Sequence, residues 1–411
     1  MEIPMSRAAY VIKAGRGGPR RQVGIVGAVW LLATVVTALP ANASPNPPDF
    51  YTLPARTIGR PGSLIRQEAL PEKVEGGHAY RILYESSGVR GEPIVVSGIA
   101  VIPDSVAEPG GRPVVAWGHP TTGVAQQCAP SLARSSLSEI QGLSALVSRG
   151  YIVVATDYPG LGAPGIHPYL VGISEGRAIL DSVRVAAKLP GANASPRFAL
   201  WGHSQGGQAV LFAAQISAVY AAELHLVGVA AAAPATALDT LLRDDANSDG
   251  GRNITAMTLW SWHRVFGVPL DGVVEPAAVP VLNRLANSCI ETAVELVERK
   301  VEGSSLARDF LSVPDISAVE PWGRLLRENI PSSPPRNTPV LIVQGLADTL
   351  VRPSVTAAYG RRLCADGIQL QWLWLPKVGH GFIARDSAPA VVEWVSNRFD
   401  GTPAPDQCAL R

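Results

Sequence analysis

An α/β fold is what this sequence predicts: a mostly parallel sheet flanked by helices, with a helical segment inserted between two of its strands. Three observations predict it. Short, fully apolar runs recur along the chain, among them Val114-Val115-Ala116-Trp117, Ile152-Val153-Val154-Ala155 and Val340-Leu341-Ile342-Val343. Unbroken hydrophobicity of this kind marks strands covered on both faces. Helical periodicity separates the runs, which gives βαβ units. The alternation stops between about Thr236 and Ser333, where the pattern turns amphipathic and helical, as in Cys289 to Val297. Roughly a hundred residues is too long for a loop and reads as an inserted cap.

Taken in order, Arg7, Lys13, Arg16, Arg20 and Arg21 precede the apolar run Val23 to Leu39, and Ala41-Asn42-Ala43 follows it. A basic head, an apolar stretch and a small-x-small site predict a secretory signal peptide over residues 1–43, cut after Ala43. A retained membrane anchor is the alternative. The first part of the core then spans 44–235, the cap 236–333 and the second part of the core 334–411. The Pro-rich stretch from Ser44 to Gly62 is expected to be an extended arm. Ala79 to Glu85 and Pro93 to Ile102 read as strands joined by a turn. Further strands are expected at Phe198–Trp201, Leu226–Val229 and Leu370–Leu375. Helices are expected at Leu137–Arg149, Ser174–Lys188, Gly207–Tyr220 and Ala388–Arg398.

Composition narrows the function classes. Of 411 residues, 47% are apolar and 17% charged, with a net charge of +1, so the chain is globular rather than disordered. No basic run interleaves with aromatics, which speaks against a nucleic-acid partner. The four cysteines, Cys128, Cys289, Cys364 and Cys408, include no C-x-x-C pair and so suggest no metal site. An even count in an exported chain predicts two disulfides, with three connectivities open. Proximity in sequence favours Cys364–Cys408, which leaves Cys128–Cys289. Asp245-Ala246-Asn247-Ser248-Asp249-Gly250 opens like a calcium loop, but Ala256 stands where the closing glutamate belongs, so a polar turn is expected. No cofactor or metal is expected.

The chemistry is concentrated in Gly202-His203-Ser204-Gln205-Gly206-Gly207, between the run Phe198 to Trp201 and the periodic Ala209 to Ala214. Strand, sharp turn and helix with a serine at the apex make the nucleophile elbow of α/β-hydrolases. Such a serine needs a base, a carboxylate that orients the base, and two N–H donors for the oxyanion. In this fold they follow in the order Ser, acid, His. Asp348 lies just after the strand Val340 to Val343, and His380 lies between glycines after the strand Leu370 to Leu375. The other histidines precede the nucleophile, enter a strand or sit in the cap. The oxyanion donors are expected to be the N–H groups of Gln205 and Thr121, because Pro120 has none.

With these residues assembled, the chain resembles the secretory lipase family of α/β-hydrolases. The resemblance rests on His119-Pro120-Thr121-Thr122-Gly123 with Cys128-Ala129-Pro130-Ser131, on Thr156-Asp157-Tyr158-Pro159-Gly160-Leu161-Gly162, and on the elbow, Asp348 and Gly379-His380-Gly381. It implies hydrolysis of carboxylic esters beneath a helical cap, and disulfides Cys128–Cys289 and Cys364–Cys408. Many relatives carry Gly where this chain has Pro120. Asp157 is read as part of a turn beside the site, not as a second acid.

The expectation is thus a secreted, monomeric serine hydrolase acting on an ester or lipid, with transient contact to a lipid interface. Trp260, Trp262, Val265, Phe266 and Val268 are candidates either for an acyl tunnel or for cap core. An acyltransferase using the same acyl-enzyme is the alternative enzyme, and a lipid-binding protein without chemistry is the alternative class.

Overall fold

The computed structural model describes residues 49–53, 59–244, 248–290, 304, 306 and 310–409. The expected signal peptide lies outside the described residues, as do Asp245, Ala246 and Asn247 of the calcium-like stretch. One nine-stranded sheet runs in the order β1-β2-β3-β5-β4-β6-β7-β8-β9. Its strands are β1 (Leu64–Ala69), β2 (Gly77–Ser87), β3 (Pro93–Pro103), β4 (Arg112–Gly118), β5 (Ile152–Thr156), β6 (Ala194–His203), β7 (His225–Ala232), β8 (Val340–Gly345) and β9 (Leu370–Leu375). The β1–β2, β2–β3 and β3–β5 pairs are antiparallel. From β5 onward every pair is parallel.

The described helices are α1 (Leu143–Ser148), α2 (Gly172–Ala186), α3 (Gln205–Tyr220), α4 (Leu238–Asp244), α5 (Asp249–Phe266), α6 (Val279–Ala286), α7 (Trp322–Glu328), α8 (Pro353–Ala365) and α9 (Ile383–Phe399). The unbroken apolar runs are explained by coverage on both sides. In β4, Val114 and Ala116 join the core on the α2 and α3 face, whereas Val115 and Trp117 join the core on the α1 and α9 face. Between β7 and β8 the described regular elements are helical. There Ser248 Oγ accepts from Gly251 N at 2.9 Å and caps α5, and Asp249 pairs with Arg252, so residues 248–250 start a helix.

Two expectations need correction, and two elements were not expected. The helix expected over Leu137–Arg149 is broken: a 3₁₀ turn at Ser136–Glu139 is followed by the short α1. Gly142 has φ +80°, a left-handed conformation that no continuous helix tolerates. The last helix starts at Ile383 rather than Ala388 and runs through Pro389. Pro389 faces solvent, where water can satisfy the carbonyl that loses its N–H partner. The edge strand β1 and the helix α8 carry no strong periodic signal and escape sequence reading.

Both disulfides form in the pairing the resemblance implies, Cys128–Cys289 and Cys364–Cys408. The first ties the loop after β4 to the segment after α6, where Ile290 N also donates to Thr122 O at 2.8 Å. The arm is anchored by Tyr51, which is buried and bonded to Ser131 Oγ at 2.7 Å. Among the described residues no helix is long and apolar enough to cross a membrane.

Candidate active site

β6 delivers Ser204 to the carboxyl edge of the sheet, and α3 begins at the next residue. Ser204 has φ 56° and ψ −117°, a conformation that costs a non-glycine residue roughly 1–3 kcal/mol. Small neighbours make it attainable. A Cβ on Gly206 would stand 2.0 Å from Gly118 O, and one on Gly202 would stand 2.3 Å from Gly206 O. The ends of β4, β6 and α3 therefore meet backbone to backbone.

The structure brings together Ser204, Asp348 and His380. His380 Nε2 lies 2.8 Å from Ser204 Oγ, and His380 Nδ1 lies 2.8 Å from Asp348 Oδ2. With Nδ1–H donating to the carboxylate, Nε2 is free to accept the serine proton. Asp348 is held by its own turn: Oδ1 accepts from Leu350 N and Val351 N, each at 2.9 Å. Gln344 Nε2 approaches Oδ2 at 3.4 Å and is steadied by Thr356 Oγ1, which donates to Gln344 Oε1 at 2.7 Å.

Both expected oxyanion residues line the space above the serine. The Thr121 hydroxyl pairs with Tyr169 OH at 2.8 Å, and the backbone N–H of Thr121 is the group expected to face an oxyanion. His119 Nδ1–H donates to Pro120 O at 2.6 Å. That carbonyl belongs to the same peptide plane as Thr121 N–H, so the bond sets the direction of the donor. Burial holds the His119 imidazole down at about 4, which keeps it neutral. Asp157 is buried, accepts from Ser97 Oγ at 2.6 Å and Ser131 N at 2.9 Å, and also bonds Ser131 Oγ. It is a structural clasp, away from the relay.

Sequence reading missed a buried polar cluster behind Gln205. Gln205 Nε2 donates to Glu175 Oε1 at 2.8 Å and to His167 Nε2 at 3.0 Å. His167 Nδ1–H donates to Pro159 O at 2.9 Å, which leaves Nε2 as the acceptor. Burial pushes the Glu175 carboxyl up to about 8 and the His167 imidazole down to about 3. The one signal for Glu175 is an acid within the apolar stripe of a helix, a pattern usually assigned to a solvated face.

Two hollows adjoin Ser204. A narrow one of about 30 Å³ is lined by Leu170, Ala235, Leu238, Leu241 and Leu242 beside Thr121 and Gln205. A wide cleft of about 720 Å³ contains His203, His380, Trp117 and Asn253. Trp260, Trp262, Val265, Phe266 and Val268 line neither. Trp262 is fully buried, stacks on Trp322 and donates to Tyr169 O at 2.7 Å. Trp260, Trp262, Val268 and Phe266 pack in the core, whereas the half-buried Val265 borders a separate hollow beside Gly88 and Pro159.

The secretory lipase family model matches residues 129–407. The chain belongs to the secretory lipase family. A protein named Lipase A from Arthroderma benhamiae is 25% identical, over 90% of this chain and 83% of its own. A protein of Mycobacterium tuberculosis named "probable inactive lipase" is also 25% identical, over 94% and 90%. Among solved structures, closed-state Candida antarctica lipase A matches with a TM-score of 0.71 and 20% identity, over 88% of this chain and 90% of that one. The rice cell wall degrading esterase LipA from Xanthomonas oryzae matches with a TM-score of 0.68 and 20% identity, over 84% and 100%. The structural matches establish the α/β-hydrolase fold. Family and relatives together support an ester hydrolase.

Proposed function

We propose that this secretory lipase family member hydrolyses carboxylic esters through an acyl-enzyme on Ser204. The observation that supports it most is the relay Asp348–His380–Ser204, with both links at 2.8 Å, at a strained elbow. Ser204 Oγ attacks the ester carbonyl carbon while His380 Nε2 takes its proton. The N–H groups of Gln205 and Thr121 receive the charge on the carbonyl oxygen. As the C–O bond breaks, His380 returns the proton to the leaving alcohol. Water then attacks the acyl-enzyme with His380 again as base, and releases the acid. Asp348 keeps the proton on Nδ1 and stabilises the imidazolium.

Residues 1–43 are read as the export signal, residues 236–333 as the cap over the site, and the mature chain as a monomer outside the cell. The two disulfides and the secretory family fit that compartment. An alkyl p-nitrophenyl phosphonate tests the nucleophile. The expected product is a single adduct on the peptide containing Ser204, with loss of esterase activity in proportion. Labelling of a different serine, or full activity after labelling, rules the assignment out.

A further inference from the structure

The two hollows at Ser204 differ in size, in polarity and in which catalytic partner they contain. Both include Thr121 and Ser204. Only the narrow one includes Gln205, and only the wide one includes His380. Their sides are thereby distinguishable. The leaving oxygen must collect its proton from His380 Nε2, so the alcohol half of the ester lies in the wide cleft. The acyl half extends the other way, into the narrow hollow.

That hollow is closed by Leu238, Leu241 and Leu242, all buried, with Leu170 and Val351. Its volume of about 30 Å³ corresponds to two or three water-sized spheres, room for a few carbon atoms. The cleft holds about 720 Å³. It is also lined by residues with unanswered polar atoms. Trp117 Nε1, His203 Nε2 and Asn253 Oδ1 are buried and have no hydrogen-bond partner in the protein. Trp117 and His203 are 1% and 5% exposed and rise from one face of neighbouring strands, since Trp117 pairs with Trp201 two residues before His203. Asn253 Nδ2 is committed to Asp249 O at 2.9 Å, so the amide oxygen is the free end.

Trp117 thus offers one donor and Asn253 one acceptor, with the unpartnered His203 Nε2 beside them. Ester oxygens can only accept, so a simple alkyl ester or a triester leaves the Asn253 acceptor unanswered, at a cost in binding. A hydroxyl group both donates and accepts. We infer that the preferred substrate is an ester of a short-chain acid with a bulky, hydroxyl-bearing alcohol, such as a polyol monoester. The inference rests on the hydrolase reading and specifies its substrate class.

Two matched series test it on the mature wild-type chain. With p-nitrophenyl acetate, butyrate and octanoate, kcat/KM is expected to fall about tenfold or more from butyrate to octanoate. With 2,3-dihydroxypropyl butyrate and propyl butyrate, each normalised to its hydroxide-catalysed rate, the dihydroxy ester is expected to lead by about tenfold. Leu241→Ala should raise the octanoate-to-butyrate ratio at least about fivefold. Trp117→Phe should lower the dihydroxypropyl-to-propyl ratio several-fold; if that variant does not fold, Asn253→Leu carries the same measurement. Equal or better turnover of octanoate, or of the propyl ester, overturns the inference and leaves the hydrolase reading standing. Failure to turn over any ester overturns the hydrolase reading instead.

Discussion

Gln205 and Glu175 meet in the interior, Nε2 to Oε1, at 2.8 Å. The same Glu175 oxygen accepts from Leu170 N at 3.0 Å, and the preceding residue, Tyr169, bonds the Thr121 hydroxyl. One carboxyl thus braces the residue after the nucleophile and the strap that touches the second proposed oxyanion donor. Ser261 Oγ donates to His167 O at 2.6 Å and accepts from Tyr169 N at 3.0 Å, so α5 holds the strap from the far side.

Removal of this brace is expected to act on kcat more than on KM. Glu175→Ala is expected to lower kcat about tenfold or more with KM little changed. Glu175→Gln, which keeps an acceptor for Gln205 and Leu170, is expected to restore most of it. Steady-state kinetics on both variants, with near-ultraviolet circular dichroism to confirm folding, decides the point.

Glu175 also predicts a pH dependence of stability. Its carboxyl stands at about 8 in the folded state against an ordinary 4.5. Between those values the folded protein holds a proton that the unfolded chain has lost. The stabilisation is full below about 4.5 and is lost as pH rises to about 8, with a slope near 1.4 kcal/mol per pH unit. His119 and His167, lowered to about 4 and about 3, act with the opposite sign, but only below about 6.5. Urea unfolding of wild type between pH 6.5 and 8 should therefore show falling stability. Glu175→Gln should be nearly flat over the same range.

Ser204→Ala is expected to reduce kcat on p-nitrophenyl butyrate by about 10⁴-fold or more, with thermal unfolding shifted little. Retained turnover in a folded variant means that a different group attacks the ester.

The bond from His119 to Pro120 O gives a separate handle on the Thr121 N–H. His119→Phe frees the Pro120–Thr121 peptide, and kcat should drop by about ten- to a hundredfold. Thr121→Ala keeps the backbone donor and should cost much less. Similar losses in the two variants would mean that the Thr121 side chain, not its N–H, carries the effect.

The disulfides should differ in value. Cys128–Cys289 spans 161 residues and Cys364–Cys408 spans 44. Loop-closure entropy gives about 5 and about 4 kcal/mol respectively. Paired Cys→Ser variants compared by denaturant unfolding are expected to rank in that order, and the Cys128/Cys289 variant should also loosen the loop that carries Thr121.

Much of the fold was legible because local pattern reports burial. Val114 to Trp117 or Val340 to Val343 read as buried strands whatever their neighbours, since a run apolar on both faces fits little else. The elbow was legible too, because a serine at a strand-to-helix turn needs small residues at fixed offsets. Edge strand β1 and helix α8 were not, because one is half-exposed and the other weakly periodic. Gly142 broke an expected helix that its flanking residues favour.

By itself, then, the sequence determined the α/β class, the interruption before β8 and the order along the chain in which Ser204, Asp348 and His380 each follow a strand. Only the tertiary structure decided which polar groups meet inside. Ser204 and His380 lie 176 residues apart in the chain, and Gln205 and Glu175 lie 30 apart. No periodicity records such a pairing. A buried glutamate reads as an exposed one until the chain folds around it, because its environment comes from segments that local pattern cannot see.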